Sequence, residues 1–320
     1  VALRTLLLTV LSALATSGGA LRVVGSAPPW VSEVAGAAVE YRQLPAPEAL
    51  RELYAGRADV ALVGLGGPSA PKGVGPLEFV PVGVYAVRLA YRLPGVALNL
   101  DVGTACRIFA GEIQLWNDPE IAVLNDGARL PALPILTTAR TRPNAASRAF
   151  ADACVGGGWW PEKWRKSSWS AGAVNLRGTW REQRADLRAT GSLGLLGPLE
   201  DAPGTQNARL RAVGGEFTEA RAGLGGGELP ASPLLPLPPA LEQGAYPLRG
   251  VVWAVFLREQ QYRGRTLNDA LAVAAFVRAL QAGGNDAFAP LPEASRPAVK
   301  LTFGGKGLDA LTPLGPPAPP

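Results

Sequence analysis

Histidine is absent from this 320-residue sequence. That excludes Ser-His-Asp and Cys-His nucleophile arrangements, histidine-bearing metal sites and the usual general base. Cysteine is nearly absent too, with two residues, and two thiolates cannot complete a structural zinc site alone. Any catalysis would fall to carboxylates, lysine or tyrosine, and no carboxylate pair stands out. These residues suggest no catalytic set and no metal or cofactor. Methionine is missing as well, position 1 included, so the numbered chain is expected to be a fragment or a processed form. Beyond residue 20 no stretch reaches the ~18 consecutive apolar residues of a transmembrane helix, and no internal span is expected.

Apolar residues make up 48% and charged residues 18%, which allows a packed core. Glycine (39) and proline (30) are abundant yet short of the roughly 25–30% typical of low-complexity chains. The composition predicts a globular protein with long Gly/Pro loops. The net charge of +5 favours acidic partners or anions only weakly.

Residues 1–20, VALRTLLLTVLSALATSGGA, have the layout of a secretory signal peptide: Arg4, a short apolar run from Leu6 to Leu14, then small residues. The alternative is a buried first helix. The signal reading predicts a secreted, periplasmic or extracellular protein. Export would permit a Cys106–Cys154 disulfide, with two buried thiols as the alternative.

The rest of the chain alternates short apolar strands with helices, as in an open α/β sheet. Strands are predicted at 21–27, 39–44, 59–64, 133–139 and 191–197, helices at 47–56, 117–125 and 267–283, and a helix followed by a turn at 104–116. Asn117 or Asp118 suits the cap of the third helix, with Pro119 in its first turn. Asn268 or Asp269 suits the cap of the last, and Gly283 its end. Two long β-rich runs, 79–93 and 246–257, read as two crossings between two α/β lobes, the layout of a hinged binding protein. This places 21–84 with 250–305 in lobe one, 85–249 in lobe two, and a Pro-rich tail at 306–320. The Gly/Pro-rich stretch 223–243 reads as a mobile surface loop.

Three further features have a plain and a functional reading. WWPEKWRKSSWS (159–170) suits local packing, or stacking on a glycan or partner. Trp160 and Trp164 would share a face if the stretch were helical. Nucleic-acid contact is not expected of a secreted chain with so little excess charge. Arg177, Arg181, Arg184 and Arg188 would form one helical stripe, a solvated face or a docking patch for an acidic partner. GLGG at 64–67 lacks the Lys and Ser/Thr of a phosphate loop and reads as a turn.

GTACRIFAGEIQLWNDPEIAVLNDGARLPALPI (103–135) closely resembles a segment of the phosphate-binding proteins of bacterial ABC transporters, the PstS-like class II periplasmic binding proteins. The WNDP tetrapeptide (Trp116–Pro119) and the LP-x-LPI that follows carry the likeness. GSLGLL (191–196), YPL (246–248) and APLPE (289–293) match later family segments in order, and LRVVGSA and ELYAGRADVALVG match more weakly. The likeness covers about 21–303. It implies a two-lobed periplasmic-binding-protein-like α/β fold with two hinge crossings and an oxyanion in the cleft. It further implies ABC transporter membrane subunits as partners, and a monomer.

The family holds phosphate with four loops and no metal, and here each loop is altered. Its G-S-T-F is Gly25, Ser26, Ala27 and Pro28, which loses the Thr hydroxyl but keeps the Ala27 N–H. Its glycine-rich second loop is Leu44–Pro47. The Asp that ends D-F-G-A-S-D becomes Gly64, removing a carboxylate that accepts the proton of monohydrogen phosphate and repels sulfate. Its R-S-D-G-S-G-T becomes Arg140, Thr141, Arg142, Pro143, Asn144, Ala145 and Ala146. Arg140 is retained, and the Asp that braces it becomes Arg142. The N–H groups of Ala145 and Ala146 remain at a helix N-terminus. The resemblance thus implies a reduced ligand set of Arg140, Thr141, Asn144, Ala145, Ala146, Ser26, Ala27 and Gly64. Two functions stay open: binding of phosphate or another oxyanion, or a degenerate ectodomain for sensing or adhesion that recognises a protein or glycan.

Overall fold

A computed structural model describes residues 19–64, 69–166, 168–169 and 174–308. The signal-peptide reading, three residues of GLGG and nearly all of the Pro-rich tail lie outside the described residues. Two compact units divide the chain. One takes Val1–Val82, Trp253–Gly283 and Arg296–Pro320; the other takes Gly83–Val252 and Gly284–Ser295. Each β-rich run contains a boundary, within the strands Leu77–Ala86 and Arg249–Leu257.

In the first unit Leu21–Gly25 lies between Ala37–Gln43 and Val60–Val63, parallel to both (Val23↔Tyr41 and Val23↔Val60). Arg249–Leu257 adds antiparallel to Val60–Val63 through Trp253↔Val63. Val60–Val63 is apolar throughout and buried throughout, as a strand covered on both faces requires. The helix Ala46–Tyr54 covers it with Leu50 and Leu53. The helix Leu267–Ala282 buries Val273, Phe276, Val277 and Leu280. Its cap is Thr266 rather than Asn268 or Asp269. Thr266 has the extended backbone of a cap, its hydroxyl accepts from the Asp269 N–H, and the Asp269 carboxylate accepts from the Thr266 N–H. This is a capping box, with the acid at the third helical position.

The second unit is built on a sheet ordered Gln206–Asn207, Arg88–Tyr91, Ser192–Leu196, Leu136–Arg140, Asn175–Arg177. Ser192–Leu196 runs parallel to Leu136–Arg140 and antiparallel to Arg88–Tyr91. Trp116 of the WNDP segment is fully buried and donates its indole N–H to the Gly191 carbonyl at 3.0 Å. Asp118 accepts from the Glu120 N–H and caps a single turn, Pro119–Ala122. The stretch 104–116, read as a helix followed by a turn, is that: the helix Val102–Ala110 ends where Gly111 takes the left-handed cap with φ 84°.

Cys106 and Cys154 form a disulfide, Cα–Cα 5.6 Å, between the helices Val102–Ala110 and Ala145–Gly156. Beside it Phe109, Phe150, Trp160 and Trp169 pack ring against ring, centroids 5.0–6.1 Å apart, and Trp164 adds to Trp160 at 5.4 Å. Trp160 and Trp169 of the Trp-rich segment thus pack into the core of their unit, whereas Trp159 stays exposed; among the segment's described residues only a 3-10 turn, Glu162–Trp164, is helical.

Three expectations change. The arginine stripe does not form. Arg177 ends the strand Asn175–Arg177 and pairs with Asp186, while a second capping box, Thr179 with Glu182, starts a helix that spans only Trp180–Asp186. The stretch 223–243 has no regular structure but is tied down: Arg249 donates to the carbonyls of Leu224 and Pro238, and Arg148 to that of Leu234. Residues 284–295, which the sequence places with lobe one, belong to the second unit. There Ala289 and Val84 exchange both backbone hydrogen bonds and Leu291 buries against Val84 and Leu224.

Candidate functional site

The strand Leu136–Arg140 carries Thr137, Thr138 and Ala139 in buried positions and ends on Arg140, opposite Arg177 of the parallel neighbour. A turn follows. Thr141 gives its N–H and its hydroxyl to the Arg177 carbonyl, at 2.8 and 3.3 Å. Asn144 then adopts extended backbone (φ −149°, ψ 152°) and caps the helix Ala145–Gly156, its side-chain oxygen accepting from the Ser147 N–H at 2.9 Å. Ala145 and Ala146 are the first two residues of that helix, so their N–H groups fall outside the intrahelical ladder. A strand end running into a helix N-terminus is where open α/β sheets place anions.

Arg140 is 9% exposed, and its guanidinium is already in use. Nη1 donates to Glu200 Oε1, and Nη2 to Glu200 Oε2 at 3.0 Å and to Asn144 Oδ1 at 3.1 Å. The Trp180 ring lies against the guanidinium, 5.7 Å from Cζ to centroid. Glu200 Oε2 also accepts from the Gly197 N–H at 2.7 Å. Arg88 holds the same turn by donating to the carbonyls of Gly197 (3.1 Å) and Glu200. The fork of Arg140 thus grips a planar oxyanion, the carboxylate of this chain. Nearby, the Tyr85 hydroxyl is buried without a hydrogen-bond partner among the described residues. Burial raises its pKa, helped by the charges of Asp152 and Glu200.

The eight candidate ligands fall into two groups, one in each unit. Arg140, Thr141, Asn144, Ala145 and Ala146 sit together as described. Ser26, Ala27 and Gly64 belong to the first unit, just past the strands Leu21–Gly25 and Val60–Val63. There the Ser26 and Ala27 N–H groups both point at the Leu62 carbonyl, at 3.0 and 3.5 Å. Leu44 donates to the Gly25 carbonyl at 2.8 Å, and Pro45 opens the helix Ala46–Tyr54 without a side-chain cap. Sequence reasoning missed Glu200 and Trp180. Glu200 lies in GPLED, directly after the strand beside Arg140, and a carboxylate in a turn, here next to Asp201, carries no periodic or motif signal.

A family described as "PBP superfamily domain" matches residues 11–278. Among curated proteins, the chain is 38% identical over 77 residues to "Phosphate-binding protein PstS 2" of Mycobacterium tuberculosis, covering 23% of this chain and 21% of that protein. The match thus spans about one fifth of the relative's length. Among solved structures, the fold is similar to one titled "Crystal structure of DING protein", with TM-score 0.63, 17% identity, and coverage of 90% of this chain and 99% of that one. It is also similar to a high affinity periplasmic phosphate-binding protein bound with phosphate, with TM-score 0.60, 16% identity, and coverage of 86% and 91%.

Proposed function

The chain belongs to the PBP superfamily, and from that premise we propose that it is an extracytoplasmic, non-catalytic solute-binding protein that takes phosphate or a related oxyanion at Arg140. One observation carries the reading: the shielded guanidinium of Arg140 holds an oxyanion group, the Glu200 carboxylate, beside a capped helix N-terminus. Asn144 and the N–H groups of Ala145 and Ala146 complete the binding group in this reading; the Ser26 and Ala27 N–H groups are already engaged by the Leu62 carbonyl.

Binding should be weaker than with a full set of donors, since each hydrogen bond to a charged group is worth about 1.5–3 kcal/mol. Gly64 offers no carboxylate, so nothing at that position separates phosphate from sulfate. ABC transporter membrane subunits are the partners this function calls for.

Calorimetric titration with phosphate and with sulfate tests the reading, using Arg140→Ala as the control. Saturable heat at or below roughly millimolar anion, lost in Arg140→Ala, is expected. Heat that survives Arg140→Ala rules out this site. A second reading, a partner-binding ectodomain that needs no small ligand, is favoured by the internal satisfaction of Arg140; absence of saturable heat selects it.

A further inference from the structure

Resting on the oxyanion reading, we infer that Glu200 is a built-in competitor for the Arg140 site: an incoming anion takes Arg140 by displacing the Glu200 carboxylate. The geometry separates a competitor from a brace. A brace would hold Arg140 from a side the ligand does not use and leave the two terminal nitrogens open. Here both terminal nitrogens end on Glu200, and Nη2 also reaches Asn144 Oδ1. Those nitrogens form the edge with which an arginine grips a bidentate anion. An external oxyanion cannot use that edge while Glu200 occupies it.

The two partners differ in their freedom to leave. The Glu200 side chain is 21% exposed and that of Arg140 10%, so the carboxylate has water to move into and the guanidinium does not. The turn need not unfold in the exchange. Its backbone is held independently by Arg88, through the Gly197 and Glu200 carbonyls, and by the Glu200 N–H to the Gly197 carbonyl at 3.2 Å. When the carboxylate swings out, three donors turn to the newcomer together: Nη1 and Nη2 of Arg140 and the Gly197 N–H, which Glu200 Oε2 now occupies at 2.7 Å. The carboxylate is an intramolecular copy of the ligand. Its presence sets the affinity and keeps the empty site electrically neutral.

The test is calorimetry with phosphate and with sulfate on wild type, Glu200→Gln, Glu200→Asp and the double variant Glu200→Gln/Arg140→Ala, each first shown to melt cooperatively. Glu200→Gln should bind about ten- to hundred-fold tighter than wild type, the equivalent of one charge-assisted interaction no longer to be displaced. The double variant should lose binding. Glu200→Asp keeps the charge but draws it back by one methylene, and should also tighten binding; it carries the comparison if the Gln variant does not fold. Arg140-dependent binding that is tighter in Glu200→Gln than in wild type supports the inference; binding in Glu200→Gln with none in wild type makes Glu200 a permanent occupant rather than a displaceable competitor and overturns it, together with the oxyanion reading of the native chain. Arg140-dependent binding in wild type that is unchanged or weaker in both Glu200 variants overturns it, makes Glu200 a brace, and leaves the oxyanion reading standing. No binding in any variant overturns both.

Discussion

Asp59 and Arg265 form an ion pair shielded from water on both sides, with side-chain exposures of 4% and 9%. The Asp59 carboxylate also accepts from the Arg22 backbone N–H and from Arg22 Nη2, both at 2.8 Å. It thereby ties the first strand of the first unit to the segment leading into the helix Leu267–Ala282. Replacing Asp59 by Asn leaves Arg265 charged, buried and short of a counter-ion. Breaking such a pair costs about 3–5 kcal/mol, more than the pair itself is worth. Asp59→Asn should lower the urea midpoint accordingly. Asp59→Asn/Arg265→Met should lose clearly less than the sum of its single variants, a coupling that a double-mutant cycle reads directly.

What could be read from the sequence depended on how locally each feature is encoded. Strands such as Val60–Val63 and Ser192–Leu196 are short, apolar and flanked by turns, so composition alone marks them. In the WNDP segment the capped turn of Asp118 and Pro119 is encoded where it stands, whereas the anchoring of Trp116 to Gly191, 75 residues on, is not. The position of the Arg140 turn was legible because it too is encoded locally. What Arg140 holds was not: Glu200 reaches it from a turn after a different strand, and only the sheet order brings the two together. The excursion of residues 284–295 fails likewise, since Val84 and Ala289 meet from distant parts of the chain. The arginine stripe is a different case. Thr179-x-x-Glu182 is a capping-box signature visible in the sequence, and it fixes a helix start that leaves Arg177 in the strand.

At the surface, the Glu52 carboxyl titrates at about 2, below its ordinary 4.5, held down first by its hydrogen bonds from Arg57 and then by Arg42. A folded pKa below the unfolded one means that this contribution to stability is fully present above about 4.5 and is lost as the pH falls towards 2. A carboxyl NMR titration at low salt should give Glu52 a midpoint near 2. Arg57→Ala should move that midpoint up towards the ordinary value, with Arg42 keeping it partly depressed. Because the partners Arg42 and Arg57 are exposed and Glu52 itself is partly so, salt should shrink the effect. A midpoint indifferent to Arg57→Ala would contradict the assignment.

The Cys106–Cys154 bond closes a loop over a sequence separation of 48. In the chain-entropy description a loop of that size is worth about 4 kcal/mol, mainly by restricting the unfolded chain. The bond also sits beside the packed rings of Phe109, Phe150 and Trp160, and the Trp160 indole N–H donates to the Cys106 carbonyl at 2.9 Å. Cys106→Ser/Cys154→Ser, or reduction with dithiothreitol, should lower the melting temperature of the second unit without dissolving its secondary structure. Differential scanning calorimetry with and without reductant measures this, and thiol-reactive mass labelling should find no free thiol before reduction.

Arg249 is buried, and its hydrogen bonds go to two carbonyls, Leu224 and, at 2.8 Å, Pro238. Burial lowers its pKa to about 10, still well above neutral, so the guanidinium keeps its charge. No carboxylate is paired with it among the described residues. One cation thus draws both limbs of the Gly/Pro-rich stretch 223–243 onto the strand Arg249–Leu257. An arginine fork reaches two carbonyls at once, whereas a lysine ammonium on its flexible stem is not pre-organised to do so. Arg249→Met removes both bonds, and Arg249→Lys should restore at most one. Both should therefore expose the stretch. Limited proteolysis should cleave between residues 223 and 243 faster in Arg249→Met than in wild type, with Arg249→Lys between them. Equal cleavage rates in all three would show that the stretch is held by its buried Leu224 and Ala240 instead.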